Sequence, residues 1–142
     1  MKSITSSIKR VICVKLNEGE DILGGIMKLV NQMKITSATF YAIGAVKKAI
    51  FGYYKDKKYK KIIKDETLEI ISCTGNIAIN NKTDEKIIHC HIVLGNSMGN
   101  SYGGHVMSGC IVSPTLEITM FELENQLYRE YDSKTNLTLL KM

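Results

Sequence analysis

At 142 residues the chain has the size of one domain, and we expect a single domain over residues 1–142 with its core at about residues 8–131. Apolar residues make up 44% of the chain and charged residues 23%, and no apolar run approaches the roughly 20 residues that cross a bilayer. The net charge is +5, but 17 of the 19 basic residues are lysines, which disfavours a dedicated reader of base edges because the arginine fork suits that role better.

The N-terminal segment and the cysteines bear on the compartment. Residues 1–10 are polar and lack an apolar signal-peptide core, so we expect an unprocessed cytoplasmic protein with no membrane partner. The cysteines form no Cys-x-x-Cys pair, and each lies in an apolar run: Cys13, Cys73, Cys90 and Cys110. This pattern argues against a thiolate zinc site or a disulfide framework and predicts buried, reduced thiols.

The first elements in chain order are a strand and a helix. Residues 8–16 are rich in β-branched residues and predict a strand. Asn17 is a suitable helix cap, and Glu20 three residues later resembles the reciprocal partner of a capping box. Apolar residues then recur at helical spacing from Ile22 to Met33, which predicts one helix with an apolar face.

The remainder of the chain predicts strands. Gly44 and Gly52 are expected to bend a long strand, and Pro114 is expected at a junction between strands. The predicted strands cover residues 38–54, 59–63, 67–79, 87–94, 105–112, 116–123 and 127–131, with turns at 56–58 and 80–84 and a Gly, Asn and Ser loop at 95–104. We therefore predict an α/β fold of the α+β type, with one main helix packed on a bent, mostly antiparallel sheet.

The only three histidines have a spacing that suggests one site. His89 and His91 are two residues apart on a predicted strand, so they share a face, roughly 6.6 Å apart along the backbone, while Cys90 faces the other side. If the following hairpin is centred on Met98, His105 lies opposite His91 on the same face. A register slip of one residue would turn His105 to the other face.

Three converging imidazoles are typical of an open zinc site. Neutral imidazole binds Zn²⁺ at about 2.0–2.1 Å, and three protein ligands leave a fourth position for water or substrate. We therefore interpret His89, His91 and His105 as ligands of one divalent metal, zinc by preference. The alternative is three ordinary polar residues, because His-x-His also occurs on strands by chance.

Six segments, including those of the histidines, give the chain a family resemblance by their order and spacing. They are residues 16–23 (LNEGEDIL), 43–46 (IGAV), 68–78 (LEIISCTGNIA), 89–91 with 102–105 (HCH and YGGH), and 114–117 (PTLE). This arrangement resembles the plants-and-prokaryotes-conserved (PPC) domain family over nearly the whole chain, from about Ile8 to Tyr131.

The resemblance implies a bent antiparallel sheet assembled as a homotrimer. It also implies a zinc ion on the three histidines, which are a feature of prokaryotic members. Plant members carry AT-hook motifs with a Gly-Arg-Pro core, and this chain has no such core because Pro114 has no arginine beside it. The DNA-binding role attached to many prokaryotic members therefore has little support in these residues, and we expect weak DNA binding or none.

Two other features have competing interpretations. Eight lysines between Lys47 and Lys64 lie among Tyr53, Tyr54 and Tyr59, either as a phosphate-tracking patch or as a solvated hairpin that resists edge-to-edge pairing. Glu69 and Glu117 are candidate catalytic residues, as a general base or as partners of a ligand histidine, or else ordinary ion-pair partners.

The leading hypothesis is a homotrimeric, open three-histidine metal site that binds or hydrolyses a small anionic molecule. The residues do not decide whether the protein is an enzyme. The alternative is a non-enzymatic DNA-associated or scaffold protein that acts through its Lys-rich surface.

Overall fold

The computed structural model describes residues 1–141, which form nine strands and one short helix. The elements are β1 (Ile8–Asn17), α1 (Ile22–Gln32), β2 (Ala38–Lys55), β3 (Lys58–Lys64), β4 (Leu68–Asn80), β5 (Lys86–Gly95), β6 (Ser101–Val106), β7 (Ile111–Leu123), β8 (Tyr128–Asp132) and β9 (Leu137–Lys141). The fold is mainly β, and the predicted main helix is a minor part of it. No helix within residues 1–141 is both long and apolar enough to cross a membrane.

The nine strands form one mixed sheet in which nearly all neighbours are antiparallel. The order is β1-β7-β2-β6-β5-β4-β8-β9, with β3 paired to β2. The only parallel pairing among the described strands joins β4 to β8. Because β2 also pairs with β4, the strands β2, β6, β5 and β4 form a closed circuit of pairings. This circuit places β6, which carries His105, between the C-terminal part of β2 and strand β5, which carries His89 and His91.

The helix is capped differently from the prediction. Asp21 is the N-cap, and its side chain accepts a hydrogen bond of 2.8 Å from the backbone N–H of Gly24. Glu20 does reach back to the N–H of Asn17, at 2.7 Å, but this contact closes the turn after β1. The apolar face of α1 buries Ile22, Ile26 and Val30 in the core. Asp21 rather than Asn17 caps the helix because it directly precedes the first helical residue, where its carboxylate reaches the free backbone N–H groups.

The predicted strand over residues 105–112 is wrong. β6 ends at Val106 and β7 begins at Ile111, and the chain turns between them with Gly109 at a φ of +105°. The N–H of Gly109 donates to the Asp21 carboxylate at 2.6 Å, so a long-range contact fixes this turn. Pro114 lies inside β7 after a cis peptide bond rather than at a junction, at an irregularity in the β2–β7 register.

Three of the four cysteines are buried as predicted. Cys73, Cys90 and Cys110 belong to the core, but Cys13 is exposed because it lies on the outer face of β1, and the prediction was wrong for it. All four thiols are free. The sequence prediction also lacked β9, which pairs with β8 and extends the sheet beyond Tyr131.

Candidate metal centre

Strand β5 presents His89 and His91 on one face, as strand alternation predicts. The intervening Cys90 is 2% exposed and lies in the core, and Ile92 is buried with it. His89 is half-buried and His91 is exposed to solvent. The two imidazole ring centroids are 5.1 Å apart. The strand therefore separates a core face from a histidine face that opens to solvent.

His105 completes the cluster from β6. It is the direct register partner of His91 in the antiparallel β5–β6 pair, as the hairpin centred on Met98 predicted. Its ring centroid lies 5.1 Å from that of His89 and 5.5 Å from that of His91. One ring nitrogen from each histidine lies within 4.8 Å of the other two. Sequence and structure thus place the same three imidazoles around one point.

Two adjacent glycines allow β6 to approach its neighbours closely. A Cβ on Gly104 would lie 2.7 Å from the carbonyl oxygen of Gly52 in β2, and one on Gly103 would lie 2.6 Å from the carbonyl oxygen of Ile92 in β5. Both distances are shorter than real Cβ contacts allow. The prediction placed these glycines in a loop, but they belong to β6, and their lack of a side chain lets His105 pack between two strands.

Arg129 on β8 is the principal neighbour that sequence reasoning missed. Its Nη2 donates a hydrogen bond to Nδ1 of His89 at 3.0 Å and another to Oδ1 of Asn76 at 2.9 Å. Its Nη1 donates to the carbonyl oxygen of Thr138 at 2.9 Å. Because a guanidinium only donates, Nδ1 of His89 must be the acceptor in this contact. Arg129 therefore fixes the tautomer and orientation of the His89 ring.

Tyr59 covers the other side of the cluster. Its ring stacks on that of His105 with centroids 4.7 Å apart. Nδ1 of His105 is buried and has no hydrogen-bond partner within the described chain. Tyr59, His89, His105 and Arg129 line one cavity of about 200 Å³. The site thus has a buried side with an unsatisfied ring nitrogen and an open side at His91.

Burial keeps two of the imidazoles neutral. Desolvation, followed by the positive charge of Arg129, lowers the pKa of His89 to about 4. Desolvation also lowers the pKa of His105, with smaller contributions from His91 and Arg129. A neutral imidazole has one unprotonated ring nitrogen, so at neutral pH these side chains are in the protonation state that metal binding requires.

Neither candidate glutamate lies in this cluster. Glu69 is exposed at the start of β4, paired with Gly95, and Glu117 is exposed on β7, paired with Lys15 and Ile43. No aspartate or glutamate of residues 1–141 joins the three histidines. Asn76, which the sequence analysis did not single out, is the direct β4–β5 partner of His89. The predicted turn at residues 80–84 is centred on residue 82 and would pair His89 with Gly75, one residue away from the observed register.

A comparison with family models identifies the family of the chain. Residues 3–124 match the model of the Plants and Prokaryotes Conserved (PCC, also written PPC) domain. The chain belongs to this family. The sequence resemblance is therefore confirmed.

Solved structures agree with the family assignment. A metal-containing protein from Archaeoglobus fulgidus is 30% identical, with a TM-score of 0.90 and coverage of 100% of both chains. A PPC protein from Pyrococcus horikoshii is 30% identical, with a TM-score of 0.89 over 100% of this chain and 98% of that one. A candidate DNA-binding protein from Ralstonia eutropha JMP134 is 25% identical, with a TM-score of 0.82 over 92% of this chain and 90% of that one.

A curated relative matches the chain over a short part of a longer protein. The bifunctional protein GlmU of Synechococcus sp. (strain JA-3-3Ab) is 23% identical over 128 residues. The match covers 89% of this chain but only 19% of the relative, so the chain spans about a fifth of that protein's length.

Proposed function

We propose that this PPC domain is a divalent metal-binding protein whose ligands are His89, His91 and His105, with zinc as the preferred ion. The observation that carries the proposal is the convergence of three ring nitrogens, one from each histidine, within 4.8 Å of one another. A related protein from Archaeoglobus fulgidus is named as metal-containing, which supports the same reading.

The residues present fit such an ion. Three imidazole nitrogens bound tetrahedrally at zinc distances lie about 3.3 Å apart, so small side-chain rotations would bring the ring nitrogens into place. Nδ1 of His105 is buried and has no partner in the described chain, which is unfavourable unless a ligand engages Nδ1 itself. Three histidines without a fourth protein ligand are typical of an open site, where zinc polarises a bound water or substrate oxygen.

The chemistry of the surroundings favours an anionic ligand. No carboxylate of the described chain joins the three imidazoles, so a bound divalent ion would keep its charge. Arg129 adds a further positive charge beside His89. We infer that the site binds, or hydrolyses, a small anionic molecule that approaches from the exposed side at His91 or through the cavity beside Arg129.

A homotrimer in the cytoplasm completes the proposal. Tyr41 on β2, Thr74 on β4 and His91 on β5 are successive register partners, so they share the outer face of the sheet. Tyr41 and Val93, two residues after His91, leave large apolar surfaces exposed on that face. Association of copies through it would bury this surface next to the histidines.

Elemental analysis of the purified full chain tests the metal site. We expect about one zinc per chain, and His91→Ala should remove most of it because two imidazoles hold zinc poorly. Cys90→Ser is the matched control: Cys90 is the neighbouring residue on the core face, and its thiol points away from the site. Loss of the metal in Cys90→Ser with retention in His91→Ala would refute the assignment.

The second candidate is a DNA-associated or scaffold protein. The Ralstonia relative is named as a candidate DNA-binding protein, and the β2–β3 hairpin carries most of the eight clustered lysines. Phosphate binding through lysines weakens steeply with salt. Binding of duplex DNA that survives physiological salt and ignores His91→Ala would favour this candidate, whereas weak binding that fades with salt would favour the metal site.

A further inference from the structure

Arg129 is a buried cation without a counter-charge in the described part of the chain. The residue is 5% exposed, and no ion pair joins it to a carboxylate of residues 1–141. The other arginine, Arg10, forms an ion pair with Glu122. A buried, unpaired charge is strongly unfavourable, so proteins normally supply a counter-ion or a ligand to such a group.

The guanidinium has unused hydrogen-bonding capacity. Of its five N–H groups, three are engaged: one with Thr138, one with Asn76 and one with His89. One N–H on Nη1 and the N–H on Nε have no partner within the described residues, and Nε is fully buried. The side chain is held in place by three contacts, and one N–H on Nη1 remains for a ligand.

Arg129 lines the cavity of about 200 Å³ that adjoins the histidines. Most of the remaining wall is apolar: Ile87, Ile88, Leu137, Leu139 and the ring of Tyr59. No lysine lines it among the described residues, so Arg129 is its one permanent cation. A small ligand with one anionic head and a short apolar body matches these walls better than a multiply charged phosphate, which needs several donors.

His89 links this cavity to the proposed metal site. A neutral imidazole has one nitrogen with a free lone pair, and in this structure that nitrogen is Nδ1, which accepts from Arg129. Ligation through Nδ1 would displace Nη2 of Arg129. Ligation through Nε2 would move the ring proton to Nδ1, so the N–H on Nδ1 of His89 would face the N–H on Nη2 of Arg129 as a second donor. Either way the hydrogen bond is lost, and a further N–H of Arg129 becomes available to a ligand.

We propose that Arg129 and the apolar cavity beside it form a subsite for a small organic carboxylate, adjacent to the three histidines and strengthened when they hold a metal ion. The guanidinium binds the carboxylate through its charge and its free N–H on Nη1, and it gains an N–H on Nη2 when His89 releases that group. The aliphatic walls and Tyr59 contact the apolar body. The subsite itself stands on Arg129 and the cavity; only its coupling to the metal rests on the proposed function.

Benzoate is the probe, titrated by calorimetry and by NMR into the full chain, both zinc-loaded and chelator-treated. We expect saturable binding of benzoate, at least tenfold tighter than that of benzamide, its uncharged counterpart, and tighter than that of inorganic phosphate. Zinc loading should tighten the binding further. Equal binding of benzamide, or tighter binding of phosphate, would overturn the proposal.

Two variants test the residues. Arg129→Lys keeps a charge but loses the planar guanidinium that three contacts hold in place, and it should weaken benzoate binding at least tenfold, with Arg10→Lys as the matched control. Leu139→Asp is the second variant, in case Arg129 variants fold poorly. Leu139 is 40% exposed, so the fold should tolerate its replacement. The new negative charge at the cavity wall should weaken benzoate binding. Ile4→Asp, at an exposed residue outside the cavity, is its control. Unchanged benzoate binding in Leu139→Asp would overturn the subsite.

Zinc content separates the two proposals. If the purified chain binds zinc but not benzoate, the carboxylate subsite is wrong and the metal site stands. If it binds benzoate through Arg129 but holds no zinc, the subsite stands and the proposed metal function fails.

Discussion

His91 and His105 are direct partners across the antiparallel β5–β6 pair, with their ring centroids 5.5 Å apart. Direct partners on adjacent strands always share a face, so this pairing determines that the two imidazoles meet. The pairing register also places Gly103 and Gly104 where β6 contacts its neighbours. The site therefore depends on the hairpin register as much as on the histidines themselves.

Replacement of Arg129 should tighten metal binding. Arg129→Met removes the donor that occupies Nδ1 of His89 and a positive charge beside the site. A hydrogen bond to a charged group contributes about 1.5–3 kcal/mol. In the unchanged chain zinc binding must break this bond, and the released guanidinium regains part of the energy through other contacts. We therefore expect roughly tenfold tighter zinc binding in Arg129→Met. Competition with a chromogenic chelator measures it. Arg10→Met is the control, and weaker zinc binding in Arg129→Met would contradict the competition between Arg129 and the metal.

The stability of the metal-free protein should fall as the pH drops from 7 towards 4. The pKa of His89 is lowered to about 4 in the folded chain, against about 6.5 when unfolded. Between these two values the unfolded state binds more protons than the folded state. The free energy of unfolding therefore rises with pH in this window and falls when the protein is acidified. Urea unfolding in the presence of a chelator measures this slope.

The control for this slope removes the titrating group. His89→Gln should give a shallower dependence between pH 4 and 6.5 than the unchanged chain, and His105→Gln should act in the same direction because burial also lowers the pKa of His105. An identical slope in both variants would show that these histidines are not responsible.

Gly104→Ala should destabilise the fold and weaken the metal site together. The new Cβ would lie 2.7 Å from the carbonyl oxygen of Gly52, a backbone atom that cannot rotate away, so β6 must shift relative to β2. Overpacking of this kind costs about 1–3 kcal/mol. Thermal unfolding and zinc affinity are measured on the same samples. Gly24→Ala is the control, since its Cβ would come no closer than 3.4 Å to Asp21 and should not lower the Tm.

The chain should be a trimer in solution. Light scattering is expected to give a mass about three times 15.9 kDa. Val93→Glu places a charge on the outer face beside His91, at a side chain that is 43% exposed in the single chain, and should lower the mass. Ile63→Glu, at an exposed residue of β3, should not. A monomer at micromolar concentration in the unchanged protein would refute this prediction.

The sequence determined the histidine site through short-range rules. Residues two apart on a strand share a face, so His89 and His91 were predictable as a pair, and the symmetry of the hairpin about Met98 predicted the His91–His105 pairing. The strand boundaries through residue 95 were also close to those observed, since β-branched composition and turn residues are local signals.

Other features depend on contacts between residues far apart in the sequence. The turn at Gly109 is fixed by Asp21, 88 positions earlier in the chain, so local composition suggested one strand where there are two. Arg129 reaches His89 because β8 lies beside β4 in parallel, and no nearby residue signals that pairing. Strand alternation and hairpin symmetry act over a few residues and can be read along the chain, whereas packing of distant strands depends on the free energy of the whole fold.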